Sequence, residues 1–398
     1  MKKYLSFLFL LASLSFYLSG CASQPEAPFQ GASITGVTLN ETSPGQNANF
    51  VISVTEAQKE IGLDFWSTLT KGEVTIQVQN KATQEIVFEE TASAPTSHFN
   101  TTFSLPTGKY DLLVVWSGPV AGTYNLEWQP GEIKAPDLSP IILLSGIGML
   151  LVGLAFLIWG IREGGAKIAL LGGAFWLGTV IVKFIIAALL NPPLYQFLTE
   201  KIPGLPGTVI FSIYVGLLTG ITEILITWLI LRKTKLGQSL WKKILSFSLG
   251  FGATEAVLLG ALSLVSMISA LIMTDQIPVS QLRSIALANN FLYSLAPILE
   301  RFFTIGIHLG CNVLIFYSIQ KKEMHWFWYS FALKSGIDAI AGYAQMSGQL
   351  QSTAFIWTIE AFVILFGLVG FWSARFLKPK IQAQEPAIGE GPAEPVLE

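Results

Sequence analysis

The feature that most constrains this chain is a series of apolar stretches that begins at Leu138 and continues almost to the C-terminus. A stretch of about 20 apolar residues crosses the hydrocarbon core of a bilayer as an α-helix. The chain is 52% hydrophobic and 13% charged, whereas an ordinary soluble domain has roughly 25% charged residues. We therefore predict a membrane all-α helical bundle over residues 137–377. Seven spans are predicted, at residues 139–161, 168–190, 208–231, 244–273, 290–319, 327–344 and 354–376.

The sixth span is the weakest of the seven, because Lys334 and Asp338 interrupt it. An alternative count omits this span, residues 326–345, or makes it re-entrant.

The N-terminus resembles a secretory signal. Lys2 and Lys3 precede an apolar run over residues 4–18, and the run ends in Leu-Ser-Gly-Cys at residues 18–21. This ending resembles a bacterial lipobox, in which the cysteine is lipidated. We predict a lipoprotein signal peptide over residues 1–21, with Cys21 as the lipidated residue. The alternative is an uncleaved signal anchor.

Residues 22–136 have a different pattern, with short alternating stretches separated by Gly, Pro and Asn. Such a pattern predicts an extracytoplasmic all-β sandwich. The last two strands resemble the final hairpin of a jelly-roll-like module. His98 is predicted to be a solvent-facing loop residue. No catalytic cluster stands out, so we expect a spacer or a module that binds an envelope ligand. The predicted strands are 33–39, 48–54, 73–78, 85–89, 109–116 and 123–128.

The distribution of Lys and Arg predicts the orientation. Twelve of them fall in the segments that are cytoplasmic if the β-domain is outside, and only Lys201 and Arg283 fall in the later external loops. We predict a multi-pass protein of the bacterial plasma membrane, with the N-terminal domain outside and a disordered cytoplasmic tail at residues 378–398. The net charge of −2 and the lack of a basic arm argue against nucleic acid as a partner.

Ionisable side chains inside the predicted spans are the strongest functional signal. Each costs ~3 kcal/mol at the bilayer centre, so such residues usually face a polar interior. We expect carboxylates from several helices and one imidazole to share a wet pocket. Lys183 is expected to be a counter-ion or a snorkelling side chain, and Glu360 is expected to be wet. The ionisable residues are Glu223, Glu255, Glu300, Arg301, His308, Lys334 and Asp338.

The spacing of these residues adds two expectations. Glu300 and His308 are eight residues apart, which leaves an angular offset of about 80°, so both can face one cavity. Lys334 and Asp338 form an i,i+4 pair on one helix face. Such a set of residues suits either hydrolysis, with a carboxylate as general base and an imidazole as proton donor, or a proton or ion relay.

Three short motifs resemble the YhfC-type glutamic intramembrane proteases, which are relatives of the CPBP membrane proteases. They are Glu300-Arg301 with His308, Gly252 with Glu255-Ala256, and Thr222-Glu223. The resemblance covers roughly residues 165–348 and does not reach the β-domain. It departs from the family pattern in four respects: Thr222 replaces a glutamate, the arginine that follows the glutamate pair is absent from the next turn, and Phe251 and Lys334 replace histidines.

The resemblance implies an intramembrane peptidase that acts on membrane-embedded peptides. We expect no cofactor. It implies that Glu223 activates water and that His308 stabilises the oxyanion or donates a proton. Glu255 and Asp338 would orient them, while Glu300, Arg301 and Lys334 would form ion pairs or position the substrate.

Other functions remain open at this point. The chain could be a degenerate relative that binds peptides without cleaving them. It could also be a proton- or ion-coupled transporter, or an envelope sensor or scaffold. A metal site is not expected, since the sequence has no His-Glu-x-x-His helix and no Cys-x-x-Cys.

Overall fold

The structure is a computed structural model that describes residues 32–54, 60–274 and 277–383. These residues form two compact units, an N-terminal β-sandwich and a helical bundle. Cys21 and the predicted signal peptide lie outside the described residues, as do residues 384–398 of the predicted tail.

The N-terminal unit contains two four-stranded antiparallel sheets, with strand orders β1-β8-β3-β6 and β2-β7-β4-β5. The core includes Phe65, Ile76, Leu112 and Tyr124, all of which are buried. This order is that of a jelly roll, and the predicted β-sandwich is confirmed. The strands are β1 (Ala32–Glu41), β2 (Gly45–Val54), β3 (Glu60–Lys71), β4 (Glu73–Asn80), β5 (Ile86–Ser93), β6 (Thr96–Ser104), β7 (Gly108–Trp116) and β8 (Val120–Pro130).

The sandwich corrects two details of the prediction. First, β7 and β8 are not a hairpin, because β7 pairs with β2 and β4 whereas β8 pairs with β1 and β3. The short connection between them crosses from one sheet to the other. Second, His98 lies on strand β6 rather than in a loop, 2.8 Å from Asp64 and against the ring of Trp66. β6 was missed because it is a partly exposed edge strand with few apolar residues.

The second unit contains eight helices within the described residues. Helix α3 is continuous but includes a π-helical turn at Gly220–Leu225. α8 continues to Gln382, beyond the predicted start of the tail at residue 378. The helices are α1 (Leu143–Gly164), α2 (Ala166–Lys201), α3 (Leu205–Arg232), α4 (Trp241–Ile272), α5 (Val279–Ala286), α6 (Phe291–Lys321), α7 (Met324–Met346) and α8 (Thr353–Gln382).

Six of these helices are long and apolar enough to cross a membrane: α1, α2, α3, α4, α6 and α8. They carry large exposed apolar side chains, such as Leu151, Phe184 and Ile272. This surface fits contact with lipid. The predicted sixth span forms α7, which has 23 residues but is not apolar enough to count among the six within the described part of the chain.

Helix α6 is the centre of the bundle and packs against α1, α4, α7 and α8. Its residues from Ile305 to Ile319 are all buried. Close approach to α8 depends on glycine, because a Cβ at Gly310 would lie 2.5 Å from the Cα of Gly370. Small residues at such crossings are typical of helices packed within membranes.

Candidate active site in the membrane bundle

One group of polar side chains lies where α2, α4 and α6 meet, and we call it the glutamate–histidine group. His308 Nε2 lies 2.8 Å from Glu255 Oε2, and Trp176 Nε1 donates a hydrogen bond of 3.0 Å to the same oxygen. Arg301 pairs with the other oxygen of Glu255 and with Glu300. His308 is only 1% exposed. The imidazole therefore faces a carboxylate inside the bundle rather than lipid.

Local sequence explains how α4 and α6 bring this pair together. Gly252 is about one turn before Glu255, and a Cβ there would lie 3.1 Å from the Cβ of His308. The absence of a side chain at Gly252 therefore allows the helices to approach. Phe251 packs against the imidazole, with ring centroids 5.2 Å apart, and restricts its position.

Arg301, not Glu300, shares the Glu255-facing side of α6 with His308. A separation of seven residues leaves an offset of about 20°, whereas eight residues leave about 80°. Glu300 instead pairs with Arg301, and its side chain is 35% exposed. Arg301 also contacts Glu255 on the neighbouring helix α4, as expected for a residue that forms ion pairs.

A second group, which we call the lysine–carboxylate group, joins α2, α3 and α7. Lys183 Nζ lies 2.6 Å from Glu223 Oε1, and Lys334 Nζ lies 3.4 Å from Glu223 Oε2. Lys334 also lies 3.0 Å from Asp338, its i,i+4 neighbour. Lys183 is thus the counter-ion of Glu223. Two carboxylates and two ammonium groups balance in charge.

The π-helical turn at Gly220–Leu225 contains Glu223. Such turns insert a residue into an α-helix and often occur at functional sites. α3 is tightly packed here against α7, because a Cβ at Gly220 would lie 2.1 Å from Ser335 Oγ. The turn therefore packs closely against side chains of α7, and its glutamate is only 1% exposed.

The two groups lie on helices that pack together, because α6, which carries His308, contacts both α4 and α7. All seven predicted site residues thus belong to neighbouring ion-paired groups. Trp176 was missed, since an uncharged indole in an apolar span gives no sequence signal. Glu360 was expected to be wet, but it is buried at 5% exposure. Its Oε2 has no hydrogen-bond partner among the described residues.

A comparison with protein families identifies the helical region. A family model described as YhfC intramembrane metalloprotease matches residues 148–363, which is more than half of the chain. This chain belongs to the YhfC intramembrane metalloprotease family. The predicted resemblance is confirmed at the family level. The match includes both groups of charged side chains, and the β-sandwich precedes it.

Other comparisons carry no argument about function. The chain is similar to a solved structure titled "CBM4 structure and function", with 13% identity and a TM-score of 0.19 over 27% of this chain and 92% of that one. It is also similar to a structure titled "Bacillus endospore appendages form a novel family of disulfide-linked pili", with 11% identity and a TM-score of 0.16 over 28% of this chain and 98% of that one. A search of curated proteins found no match.

The YhfC family description implies a metal ion, but the donor set of this chain does not fit one. Within the described residues, no group of three or more His, Cys, Asp or Glu side chains could hold a metal. The carboxylates face cations of the chain itself: Glu223 faces two lysines, Asp338 faces Lys334, and Glu255 faces Arg301. A catalytic zinc site needs about three protein ligands and an open position.

Proposed function

We propose that this chain acts on peptide segments within the membrane and that His308 and Glu255 form its reaction centre. The observation that supports this most is the 2.8 Å contact between His308 Nε2 and Glu255 Oε2 inside the bundle. Ionisable groups at this depth are costly and are usually functional. Membership of an intramembrane protease family supports a peptide as the substrate.

In this proposal Glu255 orients the imidazole and His308 moves the proton. Arg301 and Trp176 hold the oxygens of Glu255, so that the carboxylate fixes His308 with its proton on Nε2. Nδ1 then takes a proton from water while the water oxygen attacks the peptide carbonyl carbon. The imidazolium returns the proton to the amide nitrogen as the C–N bond breaks.

The lysine–carboxylate group has an electrostatic role in this proposal. Both oxygens of Glu223 face lysine ammonium groups, so we assign Glu223 to these ion pairs and His308 to the proton transfer. Lys334 lies on α7, which packs against α6, and would stabilise negative charge that develops on the carbonyl oxygen. Glu223 as the water-activating base remains the competing assignment.

A second candidate function is peptide binding without hydrolysis. The specific observation that favours it is that Glu223, Glu255 and Asp338 are all paired with cationic side chains. Buried networks of this kind can serve conformational specificity alone. The departures from the family motifs at Thr222 and Phe251 point the same way.

The proposed topology completes this proposal. We infer an N-terminal β-domain outside a bacterial plasma membrane, anchored by lipid on Cys21, with the C-terminus in the cytoplasm. The excess of Lys and Arg on one side of the spans supports this orientation. The β-domain would then bind an envelope ligand or act as a spacer.

The test is cleavage of a reporter with one transmembrane segment, reconstituted in lipid vesicles with the full chain. We expect wild type to cleave it and His308→Ala to lose ~10²–10⁴-fold in rate, as for loss of a general acid–base group. Glu255→Gln should also lose activity. His98→Ala is the matched control, because His98 also lies 2.8 Å from a carboxylate, Asp64, but in the β-sandwich.

Each outcome favours a different assignment. Equal cleavage by wild type, His308→Ala and Glu255→Gln would remove the proposed reaction centre. Loss only in Glu223→Gln would make Glu223 the base. If wild type cleaves nothing but can be photocrosslinked to the reporter, the binding function is favoured.

A further inference from the structure

We propose that the ammonium group of Lys334 occupies the position of a divalent cation between Glu223 and Asp338, so that this family member holds no metal there. The proposal deepens the site description and rests on the lysine–carboxylate group, not on whether a peptide bond is cleaved. It therefore stands or fails separately from the hydrolytic function.

The first argument is convergence. Glu223 on α3 and Asp338 on α7 come from different helices, yet both lie against the same ammonium group, at 3.4 Å and 3.0 Å. Two carboxylates that converge on one positive charge are also the usual arrangement around a divalent cation. In this chain the positive charge between the two carboxylates is the ammonium group of Lys334, a side chain of α7.

The second argument is charge. Lys183 lies on the other oxygen of Glu223, at 2.6 Å, so two ammonium groups balance two carboxylates. The lysines thus supply the same total charge as one divalent ion. A metal ion added to this balanced group would place an uncompensated charge of about +2 in the membrane interior, which is strongly unfavourable.

The third argument is space. Metal–oxygen bonds to zinc are about 2.0–2.2 Å long, so the ion would have to lie between the carboxylates and closer to them than the ammonium now does. Lys334 is buried at 4% exposure, and its ammonium group donates a hydrogen bond to Asp338 and lies 3.4 Å from Glu223 Oε2. A metal ion could therefore enter only if Lys334 left its present position.

Position 334 is also where an imidazole would complete a metal site. It shares one face of α7 with Asp338, because residues four apart lie one above the other on a helix. A histidine at this position would place a nitrogen donor beside Asp338 and opposite Glu223. The double variant Lys183→Met with Lys334→His would then present one nitrogen and two carboxylate donors without competing ammonium groups.

The experiment measures metal binding by full-length protein in detergent micelles. Wild type, the double variant, and a control with Lys183→Met and Lys334→Met are incubated with Zn²⁺, dialysed and analysed for bound zinc. The control loses the same two charges but gains no imidazole. Gel filtration and circular dichroism show which variants remain folded.

We expect wild type to retain no stoichiometric zinc and the double variant to retain it. The control should bind at least ~10-fold more weakly, since it lacks the nitrogen ligand. Stoichiometric zinc in wild type that is lost in Glu223→Gln would overturn the proposal, and so would a folded double variant that binds no better than the control. If the double variant does not fold, the amount of zinc retained by wild type alone decides whether Lys334 excludes a metal ion.

These outcomes do not depend on proteolysis. A chain that cleaves nothing but shows the expected zinc binding would refute the hydrolytic function and leave this inference intact. A chain that cleaves the reporter and holds stoichiometric zinc at Glu223 would support peptide hydrolysis and refute the inference that Lys334 replaces a metal ion.

Discussion

The substitutions Glu223→Gln and Glu360→Gln replace a carboxyl group by an amide of nearly the same shape at two buried positions with different surroundings. Glu223 lies between the ammonium groups of Lys183 and Lys334. Glu360 is 5% exposed, and its Oε2 has no hydrogen-bond partner within the described residues. The two variants therefore differ in whether they leave a buried cation without its partner.

The expected size of the difference follows from these contacts. Breaking a buried ion pair by removal of one partner costs ~3–5 kcal/mol. Lys334 keeps Asp338 at 3.0 Å, and the Lys183 side chain is 23% exposed, so for Glu223→Gln we expect the lower limit, ~3 kcal/mol. Glu360→Gln keeps the shape and breaks no ion pair that the structure shows. Its free energy of unfolding should change by less than ~1 kcal/mol.

The assay is reversible unfolding of the purified full chain in mixed micelles, followed by circular dichroism and tryptophan fluorescence. Coincident transitions by the two probes justify a two-state free energy. Equal losses in the two variants would refute the reasoning that the Glu223 ion pairs are structural. A larger loss of unfolding free energy in Glu360→Gln would show that Glu360 has an interaction partner beyond the contacts described above.

Three further predictions test packing, burial and processing. Gly310→Leu should destabilise the bundle by ~1–3 kcal/mol, because a Cβ there meets Gly370, whereas Gly178→Leu, with nothing within 4 Å, should be tolerated; thermal unfolding compares the two. Burial raises the pKa of Tyr124 to about 12, so the folded state binds more protons than the unfolded state above the ordinary tyrosine pKa of about 10, and stability should fall as pH rises from there towards 12. The ultraviolet titration difference between wild type and Tyr124→Phe measures this shift, and a Tyr124 that ionises near pH 10 would contradict it. Cys21→Ser should abolish labelling by radioactive palmitate in a bacterial host, and retained labelling would exclude Cys21 as the lipidated residue.

Much of the bundle could be predicted because each membrane span is a long apolar run that is visible in the sequence alone. A long apolar run has few alternatives to a helix, since lipid cannot satisfy free backbone groups. The sandwich was harder to predict. Its strand β3 was missed although Ile61, Leu63 and Phe65 alternate inward, and the pairing of β7 depended on strands distant in sequence.

The sequence predicted which residues form the site, but it did not predict which of them contact each other. On α6 the prediction paired Glu300 with His308, but Arg301, offset from His308 by only about 20°, is the residue that contacts Glu255 beside it. Lys183 is a single cation in an apolar span, so its partner could not be deduced from spacing. The π-helical turn at Glu223 lies where α3 packs closely against α7, and no pattern in the sequence indicated it.

The central claim is that an imidazole and a carboxylate from separate helices meet inside the membrane. The most direct measurement is the distance between His308 Nε2 and the Glu255 carboxylate in an experimental structure determined in lipid nanodiscs. We expect a hydrogen bond near 2.8 Å between these two groups. An imidazole that faces lipid, or that lies beyond ~10 Å from Glu255 and so out of reach of a bridging water, would contradict it.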